Sequence, residues 1–376
     1  MTRVIVTGGG TGGHIYPALA IADGIKKRWP DTDVRYIGGR GGMESRIVPQ
    51  AGYPFWGISA EGWQGRRIRS LATALKVDLS GSREAEGIIR AFQPEAVIGT
   101  GGFVCLPVGL AAAKKRIPIY LHEQNAMPGL TNRLMSVWAK KIMVSFEESV
   151  HRFPHLSGRK AVVTGLPVRD SIIQADAEEG YAFFQLDPNK KTILAVGGSL
   201  GAERINRAML QVVGQLYRNH DVQVIFATGQ RDFQHVTEEL DAAGIQWDTS
   251  AGAQSNIRVL TYIDRMDLAY AAADIFVGRS GASTMAEVTL SRLPAILVPY
   301  PHATENHQAH NAISLADKGG AILLEDSGLN GNVLLTSLLE LLADDHRRAA
   351  MAECSYKASY GRALEDILDV LSEAIS

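Results

Sequence analysis

The chain has 376 residues, 46% apolar and 21% charged, enough for two globular domains that each bury a core. Two cysteines, Cys105 and Cys354, exclude a disulfide framework and fit a reducing compartment. The net charge of −2 hides an asymmetry, since residues 1–165 carry 22 Lys+Arg against 12 Asp+Glu and residues 166–376 carry 16 against 28. The basic half suits an anionic partner, unless the difference is only drift in surface charge.

The chain opens directly on an apolar strand, 3–8, which reads as the absence of a secretory signal. This strand runs into Gly8-Gly9-Gly10-Thr11-Gly12-Gly13-His14, and a helical pattern covers 17–28. A β-branched run, clustered glycines and a helix are how a Rossmann-like half-domain opens, with the helix N-terminus favouring anions. Strands are expected next at 34–38, 54–59, 96–100, 117–122, 141–146 and 161–164, and helices at 83–92 and 130–139. The longest uncharged apolar stretch, 99–113, carries glycines and a proline and is too short for a membrane span of ~20 residues. Gly165-Leu166-Pro167 interrupts the pattern and marks the link between halves.

Beyond the link, strand 192–196 ends in a second glycine turn, Gly197-Gly198-Ser199-Leu200-Gly201-Ala202. Strands are expected at 222–227, 257–261, 274–277, 294–298 and 320–324, with helices at 203–218, 232–242, 266–272, 282–290, 307–318 and 331–343. Alternating strands and helices imply parallel sheets with covered faces. The expectation is an α/β chain of two Rossmann-like domains, 1–165 and 166–356, facing across a cleft. A last helix, 357–376, packs back on the first domain.

Ligands of such sheets bind beyond the C-terminal strand ends. Five segments there, in this order, carry a resemblance: 9–14 (GGTGGH), 122–125 (HEQN), 197–202 (GGSLGA), 278–282 (GRSGA) with Glu287, and 306–308 (NHQ). Together they resemble the peptidoglycan N-acetylglucosaminyltransferases of glycosyltransferase family 28, over nearly the whole chain. The resemblance implies a GT-B fold. It implies inverting transfer of GlcNAc from UDP-GlcNAc to the 4-hydroxyl of undecaprenyl-diphosphate-linked MurNAc-pentapeptide. No cofactor, metal or nucleic acid is implied. The location implied is peripheral, on the cytoplasmic face of the membrane, with room for cell-wall and cell-division protein partners.

Residue types at the matching positions suit these roles. His14 offers an imidazole, a side chain suited to base chemistry near neutral pH, as the base for the acceptor hydroxyl, or else packs the helix that follows it. Glu123, with His122 behind it, is the rival base, and the sequence leaves the choice open. The N–H groups of Gly9, Gly10, Gly101 and Gly102 are expected to hold the acceptor diphosphate. For the donor, the expected contacts are Thr11, Gly12, Gly13, Asn125, Arg169, Ser199, Ile263, Ala282, Ser283, Thr284, Met285, Ala286, Glu287 and Gln308. Glu287 suits ribose hydroxyls, the backbone of Ile263 uracil, and Arg169 and Ser199 the diphosphate. Gln308 and Asn125 suit the sugar. The family reads Gly-Asn-Pro-Val-Arg where this chain has Leu166 before Pro167.

Trp63, Arg66, Arg67, Arg69, Leu71 and Leu75 mix cations with apolar residues. They read as a face resting on anionic lipid, with Lys140 and Lys141 beside it, or as an amphipathic helix packed on the sheet. Asp31-Thr32-Asp33 has a metal-binding D-x-D form but lies away from the strand C-termini and reads as a solvated turn. Cys105 reads as a buried small residue.

Other functions remain. A UDP-GlcNAc 2-epimerase shares the fold and donor, and a diacylglycerol glycosyltransferase shares the architecture. A nicotinamide dehydrogenase needs an acid after the second strand, which ends Ile37-Gly38-Gly39-Arg40. A membrane-bound cell-wall scaffold would need neither Glu287 nor His14.

Overall fold

The computed structural model describes residues 2–60, 68–154, 158–197, 201–217, 221–249, 255–303 and 306–375, with the backbone alone over 68–79. The chain forms two compact units, residues 1–169 with 360–376, and residues 170–359.

In the first unit, β1 (Arg3–Thr7), β2 (Asp33–Gly39), β3 (Phe55–Ile58), β4 (Ala96–Gly99), β5 (Ile119–Glu123), β6 (Lys141–Val144) and β7 (Ala161–Val163) make one parallel sheet. Their order is β3-β2-β1-β4-β5-β6-β7, so the direction of winding reverses between β1 and β4. The turns after those two strands flank the crevice where such sheets take ligands. Helices α1 (Gly12–Arg28), α2 (Glu44–Gln50), α3 (Ile68–Phe92), α4 (Cys105–Lys114) and α5 (Leu130–Met135) cover it.

Val4 and Val6 pack on one face with Ile15 and Leu19 of α1, while Ile5 packs on the other with Val108 and Ala112 of α4. Both faces are covered, so the strands read as unbroken apolar runs. A C-terminal helix (Ala363–Ile375) adds Ile367, Leu368, Leu371 and Ile375 to the Val4 face, and Arg28 pairs with its Asp369 at 2.7 Å. This helix begins at Ala363 and not at 357, because residues 345–357 form a helix of their own and the chain bends through 359–362.

The second unit holds β8 (Lys191–Val196), β9 (Val222–Ala227), β10 (Ile257–Leu260), β11 (Ile275–Gly278), β12 (Ala295–Leu297) and β13 (Ala321–Leu323). They are parallel in the order β10-β9-β8-β11-β12-β13, with the reversal between β8 and β11. Its helices of six residues or more are α6 (Ala177–Phe184), α7 (Glu203–Leu216), α8 (Phe233–Ala242), α9 (Met266–Ala271), α10 (Ala282–Leu290), α11 (His307–Asp317), α12 (Gly331–Ala343) and α13 (Asp345–Lys357).

The expected strands are all present, within a residue or two at their ends. Helices α2, α4, α6 and α13 were not expected, and the backbone of α3 extends the expected helix 83–92 forward to Ile68, into the segment read as either a lipid face or an amphipathic helix. The apolar stretch around 105–113 is a helix whose Pro107 sits in the first turn, where a missing N–H costs nothing. Among the described residues no helix is long and apolar enough to cross a membrane.

Leu371 is fully buried between the C-terminal helix and the first sheet. Leu371→Ala should therefore cost about 2–5 kcal/mol in urea unfolding. A loss under ~1 kcal/mol would mean that the helix does not share that core.

Candidate active site

Three strand-end turns meet in the first unit. The N–H of Gly9 donates to Gly101 O (3.2 Å), that of Gly10 to Glu44 Oε2 (3.2 Å), and that of Gly101 to Cys105 Sγ (3.3 Å). Three of the four N–H groups expected to hold a diphosphate are thus engaged inside the unit. Their engagement has a steric cause. Gly102 has φ +84°, and a Cβ there would lie 2.1 Å from Gly9 O. Turns packed this closely satisfy each other's donors. The N-terminus of α1 is different, since Thr11 makes no side-chain cap and the first turn holds no acid.

Glu44, unnoticed in the sequence, is fully buried and also accepts the N–H of Gly39 at 2.9 Å. It brings an acid to the end of β2, where the local sequence has none. With both oxygens bonded to backbone N–H groups inside the unit, it is not placed to bind a ribose as a dehydrogenase would require. Its signal was the glycine pairs Gly38-Gly39 and Gly41-Gly42, since a Cβ at Gly42 would lie 2.4 Å from the carboxylate. Cys105 is buried, and desolvation pushes its thiol up to about 12, which leaves it inert at neutral pH.

His14 sits in the first turn of α1. Its Nδ1 lies 3.0 Å from Thr100 O and 3.1 Å from Gln124 Oε1. Gln124 Nε2 lies 3.1 Å from Nδ1 of His122, whose Nε2 lies 3.0 Å from Gly165 O. His122 therefore backs Gln124 and His14, and it does not back Glu123. A Cβ at Gly101, where φ is +105°, would come 2.9 Å from His14 Nδ1, so glycine is required there.

Glu123 points elsewhere, as its place next to His122 in β5 dictates. It is buried and accepts four hydrogen bonds. Oε1 takes the backbone N–H (3.0 Å) and side-chain amide (3.2 Å) of Asn125, and Oε2 takes Gly129 N–H (3.1 Å) and Asn132 Nδ2 (2.8 Å). These bonds hold the loop after β5 and turn the Asn125 side chain. They fit a structural carboxylate better than a base.

In the second unit Gly278 ends β11 and Gly281 precedes α10, which has no side-chain cap and no acid in its first turn. Ser283 Oγ in that turn is buried with no hydrogen-bond partner among the described residues. Glu287 accepts from Tyr270 Oη at 3.1 Å. Ser280 Oγ donates to Gln308 O (2.7 Å), and Gln308 Oε1 accepts the N–H of Tyr300 (3.0 Å). Arg279 ties to Val298 O, Pro299 O and Asp326, so its charge is spent on the scaffold. Ile263 is buried.

The remaining expected residues are dispersed. Arg169 lies over the ring of Tyr16, 4.9 Å from its centroid. Leu166 is buried, which suits an apolar side chain where the family has Asn. Ser199, Trp63, Arg66 and Arg67 lie outside the described residues, as do the side chains of Arg69, Leu71 and Leu75. Lys140 pairs with Glu373 at 3.3 Å, and Lys141 starts β6 half-buried. Asp33 starts β2 and is bonded to Arg35, at the end of the sheet away from the glycine turn.

The structure adds an apolar surface that sequence missed. Leu130, Leu134, Val137 and Trp138 are exposed by 67, 48, 58 and 50%, beside the exposed Arg133. The buried stripe of this segment is Asn132, Met135, Ser136 and Ala139. Because Asn132 is drawn inward by Glu123 and His122 O, the leucines face out.

Residues 4–144 match the glycosyltransferase family 28 N-terminal domain, and residues 192–367 match the family 28 C-terminal domain. A protein of Desulforamulus reducens is 43% identical over 373 residues, covering 99% of both chains. One of Desulfitobacterium hafniense is 45% identical over 371 residues, covering 98% of both. Both bear the name UDP-N-acetylglucosamine--N-acetylmuramyl-(pentapeptide) pyrophosphoryl-undecaprenol N-acetylglucosamine transferase. The crystal structure of Acinetobacter baumannii MurG superposes with a TM-score of 0.72 at 29% identity, covering 99% of this chain and 100% of that one. A UDP-GlcNAc 2-epimerase from Neisseria meningitidis shares the fold, with a TM-score of 0.67 at 14% identity over 99% of this chain and 100% of that one.

His122 supplies a pH prediction. Burial lowers its pKa to about 4, against the small opposing pull of Gly165 O. The unfolded chain, near ~6.5, takes up a proton first as pH falls, so His122 costs stability below ~6.5, approaching about 3 kcal/mol at pH 4, and nothing above. Between pH 7 and 4.5 the wild type should lose about 2–3 kcal/mol more than His122→Phe in urea unfolding. Equal losses would refute a buried neutral imidazole.

Proposed function

The chain belongs to glycosyltransferase family 28, and on that premise we propose that it transfers GlcNAc from UDP-GlcNAc to undecaprenyl-diphosphate-linked MurNAc-pentapeptide, converting lipid I to lipid II in peptidoglycan synthesis. The observation that carries this reading is 43–45% identity, over 98–99% of the chain, to relatives named for that transfer.

His14 is the base in this reading. Its Nε2 takes the proton of the acceptor 4-hydroxyl as that oxygen bonds to C1 of GlcNAc. The bond from C1 to the UDP oxygen breaks on the opposite face, UDP leaves with the electron pair, and the configuration at C1 inverts. Supporting this role, Nδ1 is held by two oxygens and leaves Nε2 as the basic nitrogen. Glu123 is assigned the support of Asn125, which meets the sugar.

The donor is read by the second unit. Glu287, oriented by Tyr270, accepts the ribose hydroxyls, and the backbone of Ile263 meets uracil. The start of α10, residues 282–286, holds phosphate oxygens with its N–H groups and the Ser283 hydroxyl. Arg169 and Ser199 are assigned to the diphosphate as further donors, and Gln308 Nε2 to the sugar. Thr11, Gly12 and Gly13, at the uncapped start of α1, offer N–H groups that Gly9 and Gly10 do not.

A lipid-linked acceptor calls for a bilayer. We assign Leu130, Leu134, Val137 and Trp138, with Arg133, to contact with an anionic membrane surface, alongside the Trp63–Leu75 segment.

Transfer of radiolabelled GlcNAc to a short-chain lipid acceptor, with chelator present, tests the reading. Wild type should form product, His14→Ala should lose kcat by ~10²–10⁴-fold, and Glu287→Ala should raise the donor KM about tenfold, as expected for a lost hydrogen bond to a charged group. Conversion of UDP-GlcNAc alone to its 2-epimer would sink it. In flotation with anionic vesicles, replacing Leu134 and Trp138 by Ser should weaken binding about tenfold or more, from lost burial of two large apolar side chains. Unchanged flotation would remove this face from the membrane.

A further inference from the structure

An unbroken hydrogen-bonded line runs through the first unit from Gly165 O to His122, Gln124 and His14, and ends on Thr100 O. Both ends are backbone carbonyls, and a carbonyl oxygen can only accept. At one end, His14 Nδ1 must therefore carry a proton for Thr100 O, 3.0 Å away. At the other, His122 Nε2 must carry one for Gly165 O, also 3.0 Å away.

His122 is fully buried, and desolvation keeps its ring neutral down to about pH 4. Its Nδ1 is then a bare lone pair, which takes an N–H of Gln124 Nε2 at 3.1 Å. A second bond from the same amide nitrogen to His122 O, at 3.2 Å, holds the same orientation. The Gln124 amide is thereby turned with Oε1 toward His14, where it becomes a second acceptor for Nδ1–H at 3.1 Å. The two carbonyl ends thus determine every proton in the line.

We propose that Gln124, held by His122, is a positioning residue that commits the lone pair of His14 to Nε2 and stabilises the imidazolium formed when Nε2 takes a proton. This rests on the reading of His14 as the base. A reversed amide would place an N–H against Nδ1, drive the ring proton to Nε2 and leave no base. In the observed orientation, the cation has its Nδ1–H between two oxygen dipoles. No proton leaves Nδ1 during the step. The proton gained by Nε2 is the one lost by the attacking hydroxyl.

The first test needs no substrate. Nitrogen-15 NMR of the histidine rings in the full chain should show a protonated Nδ1 and bare Nε2 at His14, and the reverse at His122. The opposite tautomer at either residue overturns the proposal.

Two variants extend it. Gln124→Glu keeps an acceptor toward His14 and removes the donor toward His122. His122 should therefore gain a proton on Nδ1, while His14 keeps its tautomer, since the acceptor toward its Nδ1–H is retained. Gln124→Leu removes the acceptor and should lower kcat by about tenfold to a hundredfold with KM for both substrates unchanged, the effect of one lost hydrogen bond to a charged group. Wild-type kcat in Gln124→Leu, or unchanged His122 signals in Gln124→Glu, would refute it. The expected tautomers without any acceptor-dependent transfer by wild type would instead sink the transferase reading and leave the proton line supported.

Discussion

Three backbone turns meet at the C-terminal edge of the first sheet with no room for a Cβ between them. The contact of Gly102 with Gly9 O is the tightest, and the bond from Gly9 N–H to Gly101 O locks the two turns together. Glu44 fastens the third by taking one N–H from each of two strand ends. A carboxylate buried this completely needs donors on both oxygens, and the backbone supplies them. The first turn of α1, and with it His14, is placed by this packing. Thr100 completes the placement, since its hydroxyl holds His14 O and its carbonyl holds the ring.

The same economy governs the loop after β5. Three consecutive polar side chains, His122, Glu123 and Gln124, are buried, and each is consumed by a different task. Glu123 shapes the loop, His122 turns an amide, and Gln124 meets His14. Strand alternation separates the first two onto opposite faces. Because buried polar groups must be paired, each assignment constrains the next, and the site is rigid for the reason that makes it costly to alter.

In the second unit the equivalent work is done by Arg279 and Ser280. They stitch β11 to the segments that precede α11 and follow β13, and leave the start of α10 uncapped. Negative charge placed at such a helix start is attracted by the peptide dipoles. The two units thus use one design: a switch point in a parallel sheet, a glycine turn and a helix N-terminus. They differ in the side chains set around it.

The sequence by itself determined both parallel sheets, the two glycine turns, the family and the candidates His14 and Glu287. Those signals are local, being apolar runs of strand length, glycines clustered at a strand end and motifs in order. Only tertiary structure decided how the donors and acceptors are spent. Gly10 meets Glu44 across 34 residues, and His14 meets Gln124 across 110. No local pattern records such pairings, so N–H groups that read as open in the turn are bonded within the unit, and the carboxylate of Glu123 is bonded to the loop after β5. Helix α4 escaped notice because a proline and a glycine interrupt its apolar run, and the outward turn of Leu130 and Leu134 follows from the inward pull on Asn132. Periodicity reports which side of an element is apolar. The identity of the partner across the fold belongs to the packing alone.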